Sequence, residues 1–340
     1  MGFKVLYTFP TRQRGMDMVR EVATIKTLRE QYPPPTPITE DELLKEIADA
    51  DAIVNVRSIS INRRIIEAAR NLKIIARHGL GYETIDVEAA SERNIVVTRA
   101  TAQGPYPVAE YTIGLLLALA KRYIPANASV KSGKWESLKF MGSEVRDKTL
   151  GIIGLGVIGS TVARMARLGL QMRVIAYDPY VSEEKARDVG AKLMELDSLL
   201  SESDYISIHA AVTKESKGIL SKKEFDVMKK GVFVINCARG EILDEKALYE
   251  ALRSGKVAGA ALDVFSEEPP PKDNPILGLE NVILTPHAAG VTDESLERMA
   301  ISIAENIVNV AQGRLPNLEA VVNKAVLNAP PWNKMDRSSN

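Results

Sequence analysis

The sequence predicts an α/β fold of two doubly wound parallel-sheet domains in tandem, and three observations predict it. The chain has 340 residues, about two domains' worth at roughly 150 residues each. Short β-branched runs alternate with amphipathic helical stretches along its length, the pattern of βαβ units. A glycine cluster lies between a strand and a helix near mid-chain, where such sheets hold a ligand.

The elements follow in order. Phe3–Thr8, Ala52–Val56, Lys73–Ala76 and Ile95–Thr98 read as buried strands, with helices such as Glu40–Ala48 and Asn62–Ala69 between them. The helical stretch Val108–Tyr123 leads into a second series: Thr149–Ile153, Arg173–Tyr177, Tyr205–Ile208, Val232–Ile235, Val257–Leu262 and Val282–Leu284. Six strands with intervening helices make a full dinucleotide-binding sheet. A Gly and two Pro within Gln103–Pro107 break the pattern and mark a linker. Thr292–Gln312 is one amphipathic helix beyond the last strand, stopped by Gly313 and Pro316. If it returns to the first domain, the division is 1–104 with 291–330 for one domain and 105–290 for the other. Residues 331–340 form a tail without periodicity, read as an arm or as disorder.

Composition excludes several classes. Hydrophobic residues make up 45% and charged residues 26%, as in folded soluble proteins. Lys plus Arg and Asp plus Glu both number 44, so the chain lacks the basic excess that salt-driven nucleic-acid binding needs. The single cysteine, Cys237, excludes a disulfide framework and a cysteine-built metal site, and fits a reducing, cytoplasmic setting. The opening MGFKVLYTFP lacks a signal-peptide core. The apolar run Ile113–Ala120 is far short of the about 20 residues a membrane span needs, so no membrane partner is expected.

GLGVIG at 154–159 gives Gly154, Gly156 and Gly159 the G-x-G-x-x-G spacing, with Val157 and Ile158 between. The pattern alone is weak, but Leu150–Ile153 is a strand before it and Ser160–Leu168 a helix after it, stopped by Gly169. The first Gly permits the tight turn, the second lets backbone approach a pyrophosphate, and the third allows close helix–strand packing. Asp178 stands 19 residues beyond Gly159, close to the about 20 at which a carboxylate meets the ribose hydroxyls. No Arg follows it directly, so NAD is the expected cofactor rather than NADP.

In an open α/β sheet, chemistry collects beyond the carboxyl ends of the strands. Those ends carry His209, then Asn236-Cys-Ala-Arg239, then Asp263-Val-Phe-Ser-Glu-Glu268, then Thr285-Pro-His287. Hydride transfer from a secondary alcohol needs a proton acceptor, a role that suits the imidazole of His287. A carboxylate behind it, Glu268, fixes the tautomer and stabilises the imidazolium. The planar fork of Arg239 suits a substrate carboxylate. Each also has a plainer use: backbone satisfaction for His287, helix capping for Arg239, a solvated surface acid for Glu268.

RHGLGYETID (77–86), VAEYTIGLLLALA (108–120), GLGVIG, NCARG (236–240), DVFSEEP (263–269) and TPHAAG (285–290) occur in an order that resembles the D-isomer-specific 2-hydroxyacid dehydrogenase family. The likeness covers roughly residues 50 to 315. The family includes phosphoglycerate dehydrogenases, glyoxylate and hydroxypyruvate reductases, D-lactate dehydrogenases and formate dehydrogenases. The resemblance implies that Arg239, Glu268 and His287 are catalytic. It implies that Asp263 holds the nicotinamide carboxamide, with Val108, His209, Cys237 and Ala238 also at the cofactor. It further implies a Rossmann nucleotide domain with a discontinuous, flavodoxin-like substrate domain, a homodimer joined through the nucleotide domains, a cleft that closes on ligand, and no metal.

Substrate choice is expected to come from the first domain, where Arg57-Ser58 and Arg77-His78-Gly79 each follow a strand. The Gly79–Gly81 turn offers backbone N–H groups for a carboxylate. Arg57 and Arg77 suit a second anion, a pattern like phosphoglycerate dehydrogenases; pairing with Glu83 or Asp86 is the plainer alternative. Gly104 and Pro107, Glu83-Thr84, Tyr111 and Ala211 depart from the family pattern near substrate and cofactor. The expected activity is therefore NAD-dependent oxidation of 3-phosphoglycerate or a similar small dianionic substrate. The alternatives are a glyoxylate or hydroxypyruvate reductase, and a non-enzymatic NAD(H)-sensing protein like the corepressors of this scaffold.

Overall fold

The computed structural model describes residues 2–31, 38–56 and 59–335. Its chain divides into two units, Met1–Gly104 with Val291–Asn340, and Pro105–Gly290.

The first unit runs β1 (Phe3–Tyr7), α1 (Gln13–Arg20), β2 (Ala23–Thr27), α2 (Glu40–Ile47), β3 (Ala52–Val56), α3 (Arg63–Ala68), β4 (Ile74–His78), α4 (Val87–Glu92) and β5 (Val96–Arg99). Its five strands pair in parallel in the order β2-β1-β3-β4-β5. Alternate strand residues point to opposite faces, so each face has its own core. Leu6, Ile53, Ile75 and Val97 pack with α2, α3 and α4 residues such as Ile47, Ile66 and Ala90. Val5, Val54, Ala76 and Val96 face Met16 and Val19 of α1, and also Met299, Ile303 and Ile307 from the chain's return.

β1 is followed by two elements that patterning did not predict. α1 has no side-chain N-cap and no acid in its first turn. β2 is a polar edge strand, paired on one side alone, so it shows no buried run. β4 continues to His78, so Arg77 and His78 lie in the strand rather than after it; Arg77 stands opposite Asn55 and Arg99 in the ladder.

The second unit opens with α5 (Tyr106–Lys121) and α6 (Tyr123–Lys131), where one helix was expected; Arg122 between them is left-handed, φ 55°. It continues with β6 (Thr149–Ile153), α7 (Val157–Leu170), β7 (Arg173–Tyr177), α8 (Glu183–Asp188), β8 (Ala191–Leu193), α9 (Leu196–Glu202), β9 (Tyr205–Ile208), α10 (Lys222–Val227), β10 (Val232–Asn236), α11 (Glu245–Arg253), β11 (Val257–Leu262) and β12 (Val282–Leu284). Its seven parallel strands run β12-β11-β10-β9-β6-β7-β8. The seventh is the three-residue β8, too short to give a periodic signal. α7 passes through Gly169 and ends at left-handed Gln171, so Gly169 is not its stop. Strand order reverses between β6 and β9, and this switch point opens a crevice at the strands' carboxyl ends.

α12 (Asp293–Ala311) belongs to the first unit, and the chain beyond it completes that unit. Val321 bridges Thr98 antiparallel, and Arg99 and Val322 exchange backbone hydrogen bonds with Ala320 and Val97. This covers the open edge of β5. Trp332 is fully buried and its indole N–H donates to the Asn94 carbonyl at 2.7 Å. The segment expected to be a free arm is thus packed as far as Met335. Single 3₁₀ turns at Lys324–Asn328 and Trp332–Lys334 have no α period, which hid it from the sequence pattern. Among the described residues no helix is long and apolar enough to cross a membrane, and none group as three or more metal-ligating side chains.

Candidate active site

The turn after β6 is shaped by backbone. Gly154 has φ +93°, and a Cβ there would stand 2.5 Å from the Ala210 nitrogen. A Cβ at Gly159 would stand 2.1 Å from the Gly154 oxygen, which brings the start of α7 directly onto the strand end. Gly156 is the N-cap, with no side-chain cap and open space around it, so the first N–H groups of a 14-residue helix are available to a ligand. Val157 is 72% exposed over this opening, whereas Ile158 packs against the core. Asp178, at the end of β7, accepts from the Leu155 N–H at 2.8 Å and from the Tyr180 N–H at 2.9 Å. It therefore braces the glycine turn itself. These groups fit a dinucleotide: uncapped amides for the pyrophosphate, and a carboxylate at the end of the next strand for the ribose.

Across the switch point, His209 follows β9. Its Nε2 is 2.8 Å from Ser207 Oγ, and its buried Nδ1 has no partner among the described residues. Burial pushes its pKa down to about 4, so the ring is neutral at neutral pH.

The loops after β10, β11 and β12 converge. Asn236 closes the first turn with both ends of its amide: Nδ2 donates to the Arg239 carbonyl and Oδ1 accepts from the Ala238 N–H. Arg239 Nη1 donates to the Ala238 carbonyl at 2.7 Å. A Cβ at Gly240 would meet the Phe265 carbonyl carbon at 2.0 Å, so this turn lies directly on the loop bearing Glu268. Glu268 Oε1 accepts from the Phe265 N–H, and Oε2 lies 2.7 Å from His287 Nδ1. An ionised carboxylate only accepts, so Nδ1 carries the proton and Nε2 is left for chemistry. Partial burial tends to raise the Glu268 pKa. The hydrogen bond and charge of His287, the Phe265 amide and the charge of Arg239 outweigh it, and the carboxyl is held below its usual range.

Asp263, expected at the nicotinamide carboxamide, has its carboxylate held by the loop that carries His287. It is 1% exposed and folded inward. Oδ1 accepts from the Thr285 hydroxyl at 2.6 Å and the Ala288 N–H at 2.8 Å, and Oδ2 accepts from the Ala289 N–H at 2.8 Å. The His287 N–H donates to the Asp263 carbonyl. Together they hold His287 at φ 53°, a left-handed conformation uncommon away from glycine. Cys237 is also buried, and burial pushes its thiol up to about 12. Val108 is a core residue of α5 in the same apolar cluster as Cys237 and Ala289. Both side chains are buried. Asn236, Ser207 and Thr285 were given no role from sequence. A buried amide at a strand end was the available signal for the first.

In the first unit, Arg77 is half-buried and donates from Nε to the Gly81 carbonyl at 2.8 Å and from Nη1 to the Asn55 carbonyl at 3.3 Å. Backbone carbonyls thus fix its guanidinium. The Gly79 N–H donates to the Arg77 carbonyl, so the expected anion nest loses that donor. His78 ends β4 beside them. Asp86 caps α4 and sits beside Arg63. Arg57 and Ser58, expected to meet substrate, lie outside the described residues.

Residues 113–289 match the model of the D-isomer specific 2-hydroxyacid dehydrogenase NAD binding domain. The chain is 46% identical over 318 residues to D-3-phosphoglycerate dehydrogenase of Archaeoglobus fulgidus, covering 94% of this chain and 59% of that protein. It is 36% identical over 332 residues to glyoxylate reductase of Korarchaeum cryptofilum, covering 96% of this chain and 98% of that one. The crystal structure of D-lactate dehydrogenase from Aquifex aeolicus, complexed with NAD and lactic acid, superposes with a TM-score of 0.80 at 30% identity over 94% of this chain and 98% of that one. The chain belongs to the D-isomer specific 2-hydroxyacid dehydrogenase family, and its second unit is the family's NAD-binding domain. It spans 59% of the length of the Archaeoglobus D-3-phosphoglycerate dehydrogenase that it matches.

Proposed function

We propose that the protein is an NAD-dependent oxidoreductase that interconverts a D-2-hydroxy acid and its 2-oxo acid. The observation that carries this reading is the His287–Glu268 contact of 2.7 Å beside Arg239, at the edge where the uncapped α7 terminus opens. Bound NAD supplies the hydride acceptor. His287 Nε2 takes the proton of the substrate hydroxyl during oxidation and returns it to the carbonyl oxygen during reduction. Glu268 stabilises the imidazolium formed in between. Arg239 pairs with the substrate carboxylate and orients C2. Asp178, with no Arg directly after it, accepts from the ribose hydroxyls and disfavours a 2′-phosphate. Gly154, Gly156, Gly159 and the amides of Val157 and Ile158 hold the pyrophosphate.

The substrate we favour is a dianion such as 3-phosphoglycerate, with Arg57 and Arg77 serving its second charge. A glyoxylate reductase is the second reading, favoured by the near-complete overlap with the Korarchaeum protein. The set Arg239–Glu268–His287 supports an enzyme over a non-catalytic NAD sensor. A homodimer is supported by exposed Tyr123, Ile124, Val130, Trp135, Leu138 and Met141, all on one stretch of the second unit. The buried lone cysteine is consistent with cytoplasmic residence.

Steady-state reduction of 3-phosphohydroxypyruvate, hydroxypyruvate and glyoxylate, with NADH and with NADPH, tests the assignment. The expected order puts the phosphorylated acid first in kcat/KM with NADH, falling at least tenfold in Arg77→Ala. Glyoxylate turned over best, with Arg77→Ala unchanged, would move the assignment to the second reading; turnover with NADPH alone would sink the Asp178 argument.

A further inference from the structure

α11 begins with two acids that point in different directions. Asp244 caps the helix, accepting from the Lys246 and Ala247 N–H groups. Glu245 instead turns to the loop after β11. Its Oε1 accepts from the Ser266 N–H at 2.6 Å and the Ser266 hydroxyl at 2.7 Å, and its Oε2 accepts from Asn274 Nδ2 at 2.8 Å. One carboxylate therefore ties down both ends of the stretch that carries Glu268. Ser266 is bonded to Phe265, whose N–H holds Glu268 Oε1, and Phe265 is pressed from the other side by Gly240. The tether is two residues from the carboxylate that meets His287.

We propose that Glu245 is a positioning residue, holding the Ser266–Asn274 loop so that Glu268 meets His287 Nδ1. The inference rests on the reading of Glu268 and His287 as the working pair. All three groups on Glu245 are donors, so only a doubly accepting side chain satisfies them. A glutamine turns an N–H₂ toward either Ser266 or Asn274, and the loop must shift to avoid a donor–donor contact. Glu268 then loses its fixed distance to His287, and the imidazole loses its single tautomer.

Two readouts test this, one independent of turnover. The chain has three histidines, so ¹⁵N-imidazole NMR of the whole protein can follow His287 directly. Wild type should show the Nδ1-protonated tautomer, and Glu245→Gln a mixture with the Nε2-protonated form; an unchanged spectrum overturns the proposal. Glu245→Gln should lower kcat roughly 10- to 100-fold, as small misplacements of catalytic groups do, with KM for the oxo acid and NADH affinity nearly unmoved. In a Glu268→Gln background the same change should add no further loss. A full loss persisting there would show a merely structural role and overturn the proposal. Asn274→Ala, which removes one of the three bonds, is the milder variant if Glu245→Gln folds poorly, and should shift tautomer and kcat in the same direction by less. Wild type inactive on every oxo acid, but with the tautomer lock lost in Glu245→Gln, would refute the activity while leaving the tether standing.

Discussion

The two functional edges of the second unit are built by different means. The turn after β6 is made of backbone: its shape is set by glycines at positions where a Cβ would collide at 2.1–2.5 Å. The loops after β11 and β12 are made of side chains, with an inward Asp263 and a lateral Glu245 accepting donors from the loops around Glu268 and His287. A backbone-built site declares itself in sequence, because only one residue type fits. A side-chain-braced site does not, because an acid that braces and an acid that binds ligand look alike.

Four substitutions or conditions probe this contrast, in order of expected effect. His287→Gln removes the proton carrier from the braced edge and leaves the glycine edge whole. It should cost roughly 10³-fold in kcat while NADH binding, followed by fluorescence, stays within about twofold; lost NADH affinity would erase the contrast. Asp263→Asn presents an N–H₂ to donors that include the Ala288 and Ala289 amides, and should lower stability by about 2–4 kcal/mol in urea melts. It should also lower kcat about 100-fold. Gly159→Ala pushes α7 off the strand end, weakening NADH at least tenfold and costing about 1–3 kcal/mol. Its effect on kcat at saturating NADH should be small, because the braced edge is untouched.

The effect that is smallest at neutral pH concerns His209 at the switch point. Its folded pKa, about 4, lies below the unfolded value near 6.5, so between those limits the unfolded chain binds the extra proton. Stability is therefore greatest above about pH 6.5 and falls as pH drops toward 4, by up to about 1.4 kcal/mol per pH unit at full slope. His209→Gln should flatten this slope in denaturant titrations across pH 4.5–7. A slope unchanged by the substitution would show that other groups set it.

Much of the fold was legible because both sheets bury continuous strand cores with alternating faces, as in Leu150-Gly-Ile-Ile153. The elements missed are those without that signature: polar edge strand β2, uncapped α1, three-residue β8, and 3₁₀ turns that bury Trp332 without a period. At the site, reading the strand ends selected Arg239, Glu268 and His287, and the structure brings the last two to 2.7 Å. Asp263 and Cys237 stand at the same strand ends, but their side chains turn inward, Asp263 onto Thr285 and Cys237 into an apolar cluster, neighbours that a local reading of the sequence does not show. Glu245 was invisible for the same reason: an acid opening a helix already has an ordinary use there.

The most direct test of the account is transfer of deuterium from C4-deuterated NADH to C2 of a 2-oxo acid, with the product's configuration determined. Wild type should give a D-2-hydroxy acid deuterated at C2, and His287→Gln should transfer deuterium about 10³-fold more slowly despite normal NADH binding. Absence of transfer to any 2-oxo acid by a wild-type protein that binds NADH, or transfer undiminished in His287→Gln, would contradict it.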